Sequence, residues 1–161
     1  MRWGRSLSKT RNERLAIAVS TYDYDAVKRI LSIEFPLSYA VTEALGYSDG
    51  FDCRILALLI QAGLDVNAVI EERETFLMQA AARGELDAVK LLIEAGADPN
   101  RRDDDGGFAL ANAGSSRNKE AFMYLASRTS AELRDIAANW LPSWYGRALD
   151  SIVDSGTSSE M

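Results

Sequence analysis

The sequence contains no histidine, one cysteine and three prolines in 161 residues. Without histidine the chain lacks the commonest general base, the usual partner of a nucleophilic serine or cysteine, and the commonest metal ligand. Its one cysteine, Cys53, cannot form an internal disulfide, and the apolar neighbours Ile55 and Leu56 indicate a small residue beside the core. These absences argue against the usual catalytic and metal-binding arrangements and against a disulfide framework.

Long apolar runs are also missing, since the longest one, residues 55–60, is far too short to cross a bilayer. The N-terminal stretch MRWGRSLSKTRNER is basic, but no apolar run follows it, so we expect no secretory signal. The net charge of −6 argues against a surface that tracks nucleic-acid phosphates and favours a basic or mixed-charge partner. We therefore expect a cytoplasmic protein that binds neither nucleic acid nor membrane.

Residues 75–100 contain two short amphipathic segments joined by a tight turn. Leu77, Ala80 and Ala81 have the i, i+3, i+4 spacing that gives a helix one apolar face, and Gly84 ends this first segment. A second, broader apolar stripe follows and runs up to another glycine, where a left-handed residue can close a helix. Because such short helices are unstable by themselves in water, the pair must bury its apolar faces against similar neighbours.

The same pattern recurs at a fixed distance along the chain. Residues 58–67 return 33 positions later as residues 91–100, and seven of the ten positions are identical. The same offset relates Leu77 to Leu110. A fixed period of this length is typical of a repeat protein.

A period of 33 residues with this content resembles the ankyrin repeat, a turn followed by two antiparallel helices. Residues 75–81, TFLMQAA, look like the T-P-L-H-x-A-A motif of that family, with Phe76 in place of proline and Met78 in place of histidine. The resemblance is specific over residues 56–127. It implies an all-α solenoid of stacked antiparallel helix pairs, with about two well-formed and two to three degenerate repeats.

The repeat spacing also predicts how the chain is organised. We expect a flexible basic lead at residues 1–11, a repeat domain at residues 12–153 and a disordered tail at residues 154–161. Within the domain, the repeats are predicted at residues 12–34, 37–62, 75–95 and 108–127, with an incomplete closing repeat at 129–153.

Polar residues mark the predicted helix starts. Asn12 and Asp52 are predicted N-caps, and Thr129 is predicted to form a capping box with Glu132. The aromatic residues predicted to close the core at the end of the stack are Trp140, Trp144 and Tyr145.

The loops that join successive repeats, called fingers here, carry runs of charge. These runs are EERE at residues 71–74 and RRDDD at residues 101–105. The resemblance implies that successive fingers lie side by side and share a concave binding surface with the ends of the inner helices. The predicted partner contacts are Glu71, Arg73, Glu74, Phe76, Arg83, Glu85, Asp104, Asp105, Arg117 and Asn118. Phe76 has two interpretations, either an anchor for the partner or a residue packed between the fingers.

Other chemistry has less support in the sequence. The acidic residues 103–105 and their neighbours Glu71 and Glu72 lack the spacing of a calcium loop, and adjacent arginines neutralise them, so we predict no metal. A shallow repeat surface does not raise the pKa of a carboxylate as a deep pocket does. We therefore predict no catalytic residue and no cofactor.

Three functional hypotheses follow. The first is a protein-binding module that acts as an inhibitor or immunity-type protein against a basic partner such as a nuclease. The second is an adaptor or scaffold subunit of a larger assembly, and the third, more remote, is a carboxylate-dependent enzyme. An exposed apolar patch would favour the adaptor, and a purely charged surface would favour the inhibitor.

Overall fold

Nine short α-helices make up the regular structure in the part of the chain that the computed structural model describes, residues 10–34, 36–70 and 73–140. The helices are α1 (Arg11–Ser20), α2 (Tyr24–Ile30), α3 (Tyr39–Gly46), α4 (Cys53–Gln61), α5 (Phe76–Arg83), α6 (Leu86–Glu94), α7 (Ala109–Ser115), α8 (Lys119–Ala126) and α9 (Ala131–Trp140). The chain divides into two compact units, Met1–Leu64 and Asp65–Met161. The prediction of an all-α fold built from helix pairs is confirmed.

In the first unit two helical hairpins lie side by side, because α1 packs on both α2 and α3, and α2 packs on α4. Asp23 separates α1 from α2, and its carboxylate accepts a hydrogen bond from the backbone N–H of Ala26 at 2.9 Å. Asp52 does the same before α4, where its Oδ1 accepts from the N–H of Arg54 at 2.9 Å. The predicted cap at Asp52 is therefore confirmed.

The start of α1 differs from the prediction. Thr10, not Asn12, is the N-cap, since its Oγ1 accepts from the N–H of Glu13 at 3.2 Å. Glu13 Oε2 in turn accepts from the N–H of Thr10 at 2.6 Å, which completes a capping box. The prediction for Asn12 is wrong because its side chain bonds elsewhere, to backbone groups of the next repeat.

The second unit has the same hairpin plan, with α5 packed on α6 and α7, and α7 packed on α8 and α9. The buried residues of α5 and α7 include several small ones. Ala80 and Ala81 on α5 and Ala113 on α7 are fully buried. These positions match the apolar face predicted from the 33-residue offset, and small side chains there allow the two helices to approach closely.

The start of α9 also needs a correction. Ser130 Oγ accepts from the N–H of Leu133 at 3.4 Å, so Ser130 caps the helix. Thr129, the predicted cap, instead donates its hydroxyl to the carbonyl of Leu125 at 2.9 Å. Because this hydroxyl is bonded to the last turn of α8, it does not cap α9, and the predicted capping box with Glu132 is wrong.

Several predictions lie outside the described residues. They concern the basic lead at residues 1–9, the last helix of the closing repeat with Trp144 and Tyr145, and the tail at residues 154–161.

Asparagine side chains connect successive repeats through backbone groups. Asn67 Nδ2 donates to the carbonyl of Gly96 at 3.0 Å, and Asn67 Oδ1 accepts from the N–H of Asp98 at 2.8 Å. One side-chain amide thus satisfies a carbonyl and an N–H two residues apart in the turn that opens the next finger. Because both bonds are directional, they fix the position of one finger against the next.

The same device occurs at Asn12, and Asn100 forms one of its two bonds. Asn12 Nδ2 donates to the carbonyl of Pro36 at 3.3 Å, and Asn12 Oδ1 accepts from the N–H of Ser38 at 3.1 Å. Asn100 Oδ1 accepts from the N–H of Ser130 at 2.7 Å. The recurrence shows that these amides are part of how the repeats are joined.

We expect Asn67→Ala to lower the free energy of unfolding by about 1–2 kcal/mol, because two hydrogen bonds between repeats are lost together. Urea denaturation followed by circular dichroism measures the change. The matched control is Asn139→Ala, since the Asn139 amide is exposed and donates within its own helix to the carbonyl of Asp135. Equal, small effects of the two substitutions would contradict the bridging role of Asn67.

Asp52 also forms a charged contact at the start of α4. Arg54 Nη2 lies 2.7 Å from Asp52 Oδ2, and the guanidinium of Arg54 also lies 5.1 Å from the centre of the Tyr24 ring. The hydrogen bond from the Arg54 side chain lowers the pKa of Asp52 below its ordinary value, helped by the backbone N–H groups of Arg54 and Ile55 and opposed by partial burial. Asp52 therefore stabilises the fold in its ionised form.

Asp52→Asn keeps a capping side chain but removes the charge, so it isolates this contribution. Because the folded-state pKa of Asp52 is lowered, its stabilisation is present above the unfolded pKa of about 3.9 and is lost as the pH falls through the folded value. We expect the variant to be less stable than the wild type by about 0.5–1 kcal/mol at pH 7. Urea denaturation at a series of pH values should show this difference shrinking below about pH 4. A difference that does not change with pH would rule out the charge as its cause.

Candidate partner-binding surface

The inner helices of the second unit each leave one face uncovered. On α5 this face carries Gln79, Ala82 and Arg83, which are spaced i, i+3 and i+4 and lie opposite the buried alanines. On α7 the equivalent face carries Asn112 and Ser115. Small and amide-bearing side chains make this surface shallow and polar.

At the N-terminal end of α5 the structure brings the two charged fingers together. Arg73 Nε lies 3.8 Å from Asp104 Oδ1, so the predicted proximity of these residues is observed. Both side chains are mostly exposed, at 66% and 58% respectively. An ion pair this exposed contributes only about 0–1 kcal/mol to stability, so stability does not explain these charges.

The finger that carries residues 101–105 is held in shape by its own hydrogen bonds. Asp103 Oδ1 accepts from the backbone N–H groups of Asp105 at 3.1 Å and of Gly107 at 2.6 Å. The backbone N–H of Asp103 donates to the carbonyl of Gly107 at 3.1 Å. Asp104 and Asp105 are therefore exposed on a turn whose backbone is already ordered.

Glu74 precedes the N-cap of α5 and is half-buried. Its carboxylate Oε2 accepts a hydrogen bond from Gln79 Nε2 at 3.0 Å. Its backbone carbonyl accepts from the N–H of Ile70 at 2.9 Å within the same finger. Glu71, the first predicted contact on this finger, lies outside the described residues.

The remaining predicted contacts lie at the other end of the inner helices. Arg83 and Glu85 flank the turn between α5 and α6, and Arg117 lies in the equivalent turn after α7. Since α5 rises about 1.5 Å per residue, Arg83 is about 10 Å along the helix from the finger end. The predicted single surface therefore consists of two groups joined by the open face of α5. The finger cluster is Arg73, Glu74, Asp104 and Asp105. The turn cluster is Arg83, Glu85, Arg117 and Asn118.

Asn118 has a structural role in the turn cluster. Its Nδ2 donates to the carbonyl of Gly84 at 2.6 Å, and its Oδ1 accepts from the N–H of Ala121 at 2.8 Å. The side chain thus caps α8 and ties two successive turns together, so both ends of its amide are occupied inside the protein.

Phe76 does not belong to the exposed surface. It is 0% exposed, and it is among the largest fully buried side chains of the described residues. A ring buried at the start of α5 is not available to a partner, so the prediction of Phe76 as a contact residue is wrong. Of its two interpretations, the structure supports the packed one.

Trp140, predicted to help close the core, lies at the end of α9 and packs on Phe108. Their ring centres are 5.9 Å apart with a tilt of 43°. Phe108 is fully buried, whereas Trp140 stays 58% exposed. In the described part of the chain Trp140 is therefore a partial cover for the core.

In three repeats, the turn between the first helix of the pair, the inner helix, and the second, the outer helix, contains a left-handed residue. Gly84 adopts φ +72°, Arg117 adopts φ +60° and Tyr22 adopts φ +56°. Arg117 stands 33 residues after Gly84, so an arginine occupies a position where glycine is easier to accommodate. For a residue with a Cβ this conformation costs roughly 1–2 kcal/mol.

Sequence reasoning missed Gln79, Ala82, Asn112 and Ser115. The signal was present, because these residues have helical spacing and lie on the side of the helix away from Leu77, Ala80 and Ala81.

Two further properties concern the described residues. No group of three or more acidic or cysteine side chains in residues 10–34, 36–70 and 73–140 is placed to hold a metal ion. Over the same ranges, each helix is too short or too polar to cross a membrane.

Short helix pairs that are joined by turns and packed side by side define a helical repeat protein. The sequence model for ankyrin repeats, in three copies, matches residues 15–136. The chain therefore belongs to the ankyrin-repeat family, which is a family of protein–protein interaction modules.

The chain is similar to Protein HOS4 of Saccharomyces cerevisiae (strain ATCC 204508 / S288c). The two are 44% identical over 86 residues, a stretch that covers 53% of this chain and 8% of the yeast protein. The chain thus matches a small part of that longer relative.

We expect Arg117→Gly to raise the free energy of unfolding by up to about 1 kcal/mol. The substitution removes the strain of a left-handed backbone at a residue with a Cβ, and this gain is larger than the loss from the greater conformational entropy of glycine in the unfolded chain. The reciprocal change, Gly84→Ala, should lower it by about 1–2 kcal/mol. A Cβ at Gly84 would also lie 3.1 Å from Asn118 Cβ. Thermal and urea unfolding measure both changes. Marked destabilisation by Arg117→Gly would mean that the arginine side chain itself supports the fold.

Proposed function

We propose that this chain recognises a partner protein with a basic or mixed-charge surface through the finger cluster, Arg73, Glu74, Asp104 and Asp105, together with the open faces of α5 and α7. The observation that carries the proposal is the exposed Arg73–Asp104 pair on fingers held by internal hydrogen bonds. These charges contribute little to stability, yet their backbone is already ordered. Binding through them loses little conformational entropy.

Charge complementarity then determines how the partner approaches. Fixed charges steer the encounter and set the register of the complex more than they add to its affinity. This mode of binding fits an inhibitor or immunity-type protein acting in the cytoplasm, and it needs no cofactor, metal or catalytic residue.

A second function, that of an adaptor in a larger assembly, has support from the first unit. Ile17, Ile33, Tyr39 and Tyr47 are large apolar or aromatic residues that stay between 43% and 58% exposed. A groove of about 740 Å³ also lies between the end of α2 and the last turn of α4. Large exposed apolar side chains, where they are contiguous, mark protein–protein interaction sites.

Affinity purification with quantitative mass spectrometry tests the charged surface. We expect Asp104→Lys combined with Asp105→Lys to reduce retention of the partner at least tenfold, about 1.4 kcal/mol. The control is Glu94→Lys combined with Asp135→Lys, on the exposed surfaces of α6 and α9, because it changes the net charge equally. Equal losses in both variants would show that net charge matters and the finger cluster does not. If both variants keep every partner, the proposal is wrong.

A further inference from the structure

Gln79 is the first residue of the open face of α5, and its side-chain amide is only half satisfied. Its Nε2 donates to Glu74 Oε2 at 3.0 Å, while its Oε1 is buried and has no hydrogen-bond donor among the described residues. A buried acceptor without a donor is unfavourable and uncommon in folded proteins. Its presence on a binding face therefore needs an explanation.

The neighbouring repeat does not supply the missing donor. Asn112 stands 33 residues after Gln79, at the equivalent place on α7, but its Nδ2 donates to the carbonyl of Met78 at 3.4 Å. The residue 33 positions after Glu74 is Gly107, so α7 has no equivalent carboxylate. Of these two inner helices, α5 therefore combines a carboxylate with an unsatisfied amide oxygen and α7 does not.

We propose that Glu74 and Gln79 form the acceptor site for an arginine side chain of the partner protein, an inference that rests on the proposed function. A guanidinium group carries five N–H donors in a planar fork. It can donate to the Glu74 carboxylate and, once the Gln79 side chain moves outward and exposes its oxygen, to Gln79 Oε1 as well.

The surroundings suit a cation of this shape. Ala82, one turn along α5 from Gln79, is small and exposed. The acidic pair Asp104 and Asp105 lies on the adjacent finger and attracts positive charge. Lysine carries the same charge but no planar fork, so it satisfies the two acceptors less well.

The test uses three capped tripeptides, Gly-Arg-Gly, Gly-Lys-Gly and a neutral analogue with citrulline in the centre, titrated into the full chain. The readout is the side-chain amide resonance of Gln79 in proton–nitrogen correlation spectra. We expect the arginine peptide to shift this resonance with an affinity at least fivefold above that of the lysine peptide, and the citrulline peptide to leave it unmoved. Equal shifts with all three peptides, or no shift with arginine, would overturn the proposal.

Two variants assign the site. Glu74→Gln and Gln79→Met should each weaken binding of the arginine peptide at least fivefold, whereas Glu94→Gln, which removes one exposed negative charge on α6, should weaken it less than twofold. Gln79→Met should leave the unfolding midpoint of the free chain unchanged or raise it, because it removes an unsatisfied acceptor. Undiminished peptide binding in Glu74→Gln and Gln79→Met would place the arginine elsewhere.

The two proposals fail in different ways. If the Asp104 and Asp105 reversals abolish partner retention while the arginine peptide does not shift the Gln79 resonance, the proposed role of the finger cluster is supported and the acceptor site is wrong. If the peptide binds at Gln79 but retention survives the reversals, the recognition surface is the face of α5 without the fingers.

Discussion

The packing of α5 against α7 is the contact on which the second unit depends. These helices have eight and seven residues, and helices of that length do not persist by themselves in water. Their stability must come from burial against each other, and the fully buried Ala80, Ala81 and Ala113 allow their backbones to come close. Because one side of each helix is committed to this contact, the opposite side is free to vary without disturbing the core. The open face with Gln79 and Asn112 is a direct consequence of that division.

Apolar packing does not by itself fix how far one hairpin slides along the next, since the hydrophobic effect is not directional. The side-chain amides provide the missing direction. Asn67 links its finger to the turn at Gly96 and Asp98, and Asn118 links its own turn before α8 to the preceding inter-helix turn at Gly84. These bonds hold both ends of the helical layer in register. The charged finger tips therefore sit on loops whose bases are already positioned.

The sequence was informative where structure follows from local spacing, and less so where a side chain had to choose between partners. The 33-residue offset and the 3.6-residue periodicity predicted the helix pairs and the apolar faces around Leu77 and Ala80, because these depend on neighbours along the chain. The capping residues at Asn12 and Thr129 were predicted wrongly, since each had an alternative bond to the rest of the fold. Likewise, the burial of Phe76 depends on packing around α5 that no local pattern reveals.

The same reasoning separates the residues that stabilise this protein from those that recognition must explain. Arg117 holds a left-handed backbone where glycine would be easier, and the Arg73–Asp104 pair is too exposed to add much stability. Gln79 keeps a buried oxygen without a donor in the described structure. None of these features contributes much to the stability of the folded chain. We attribute Gln79 and the finger charges to the binding proposed above, because a partner can supply the charge and the donors that the free chain lacks.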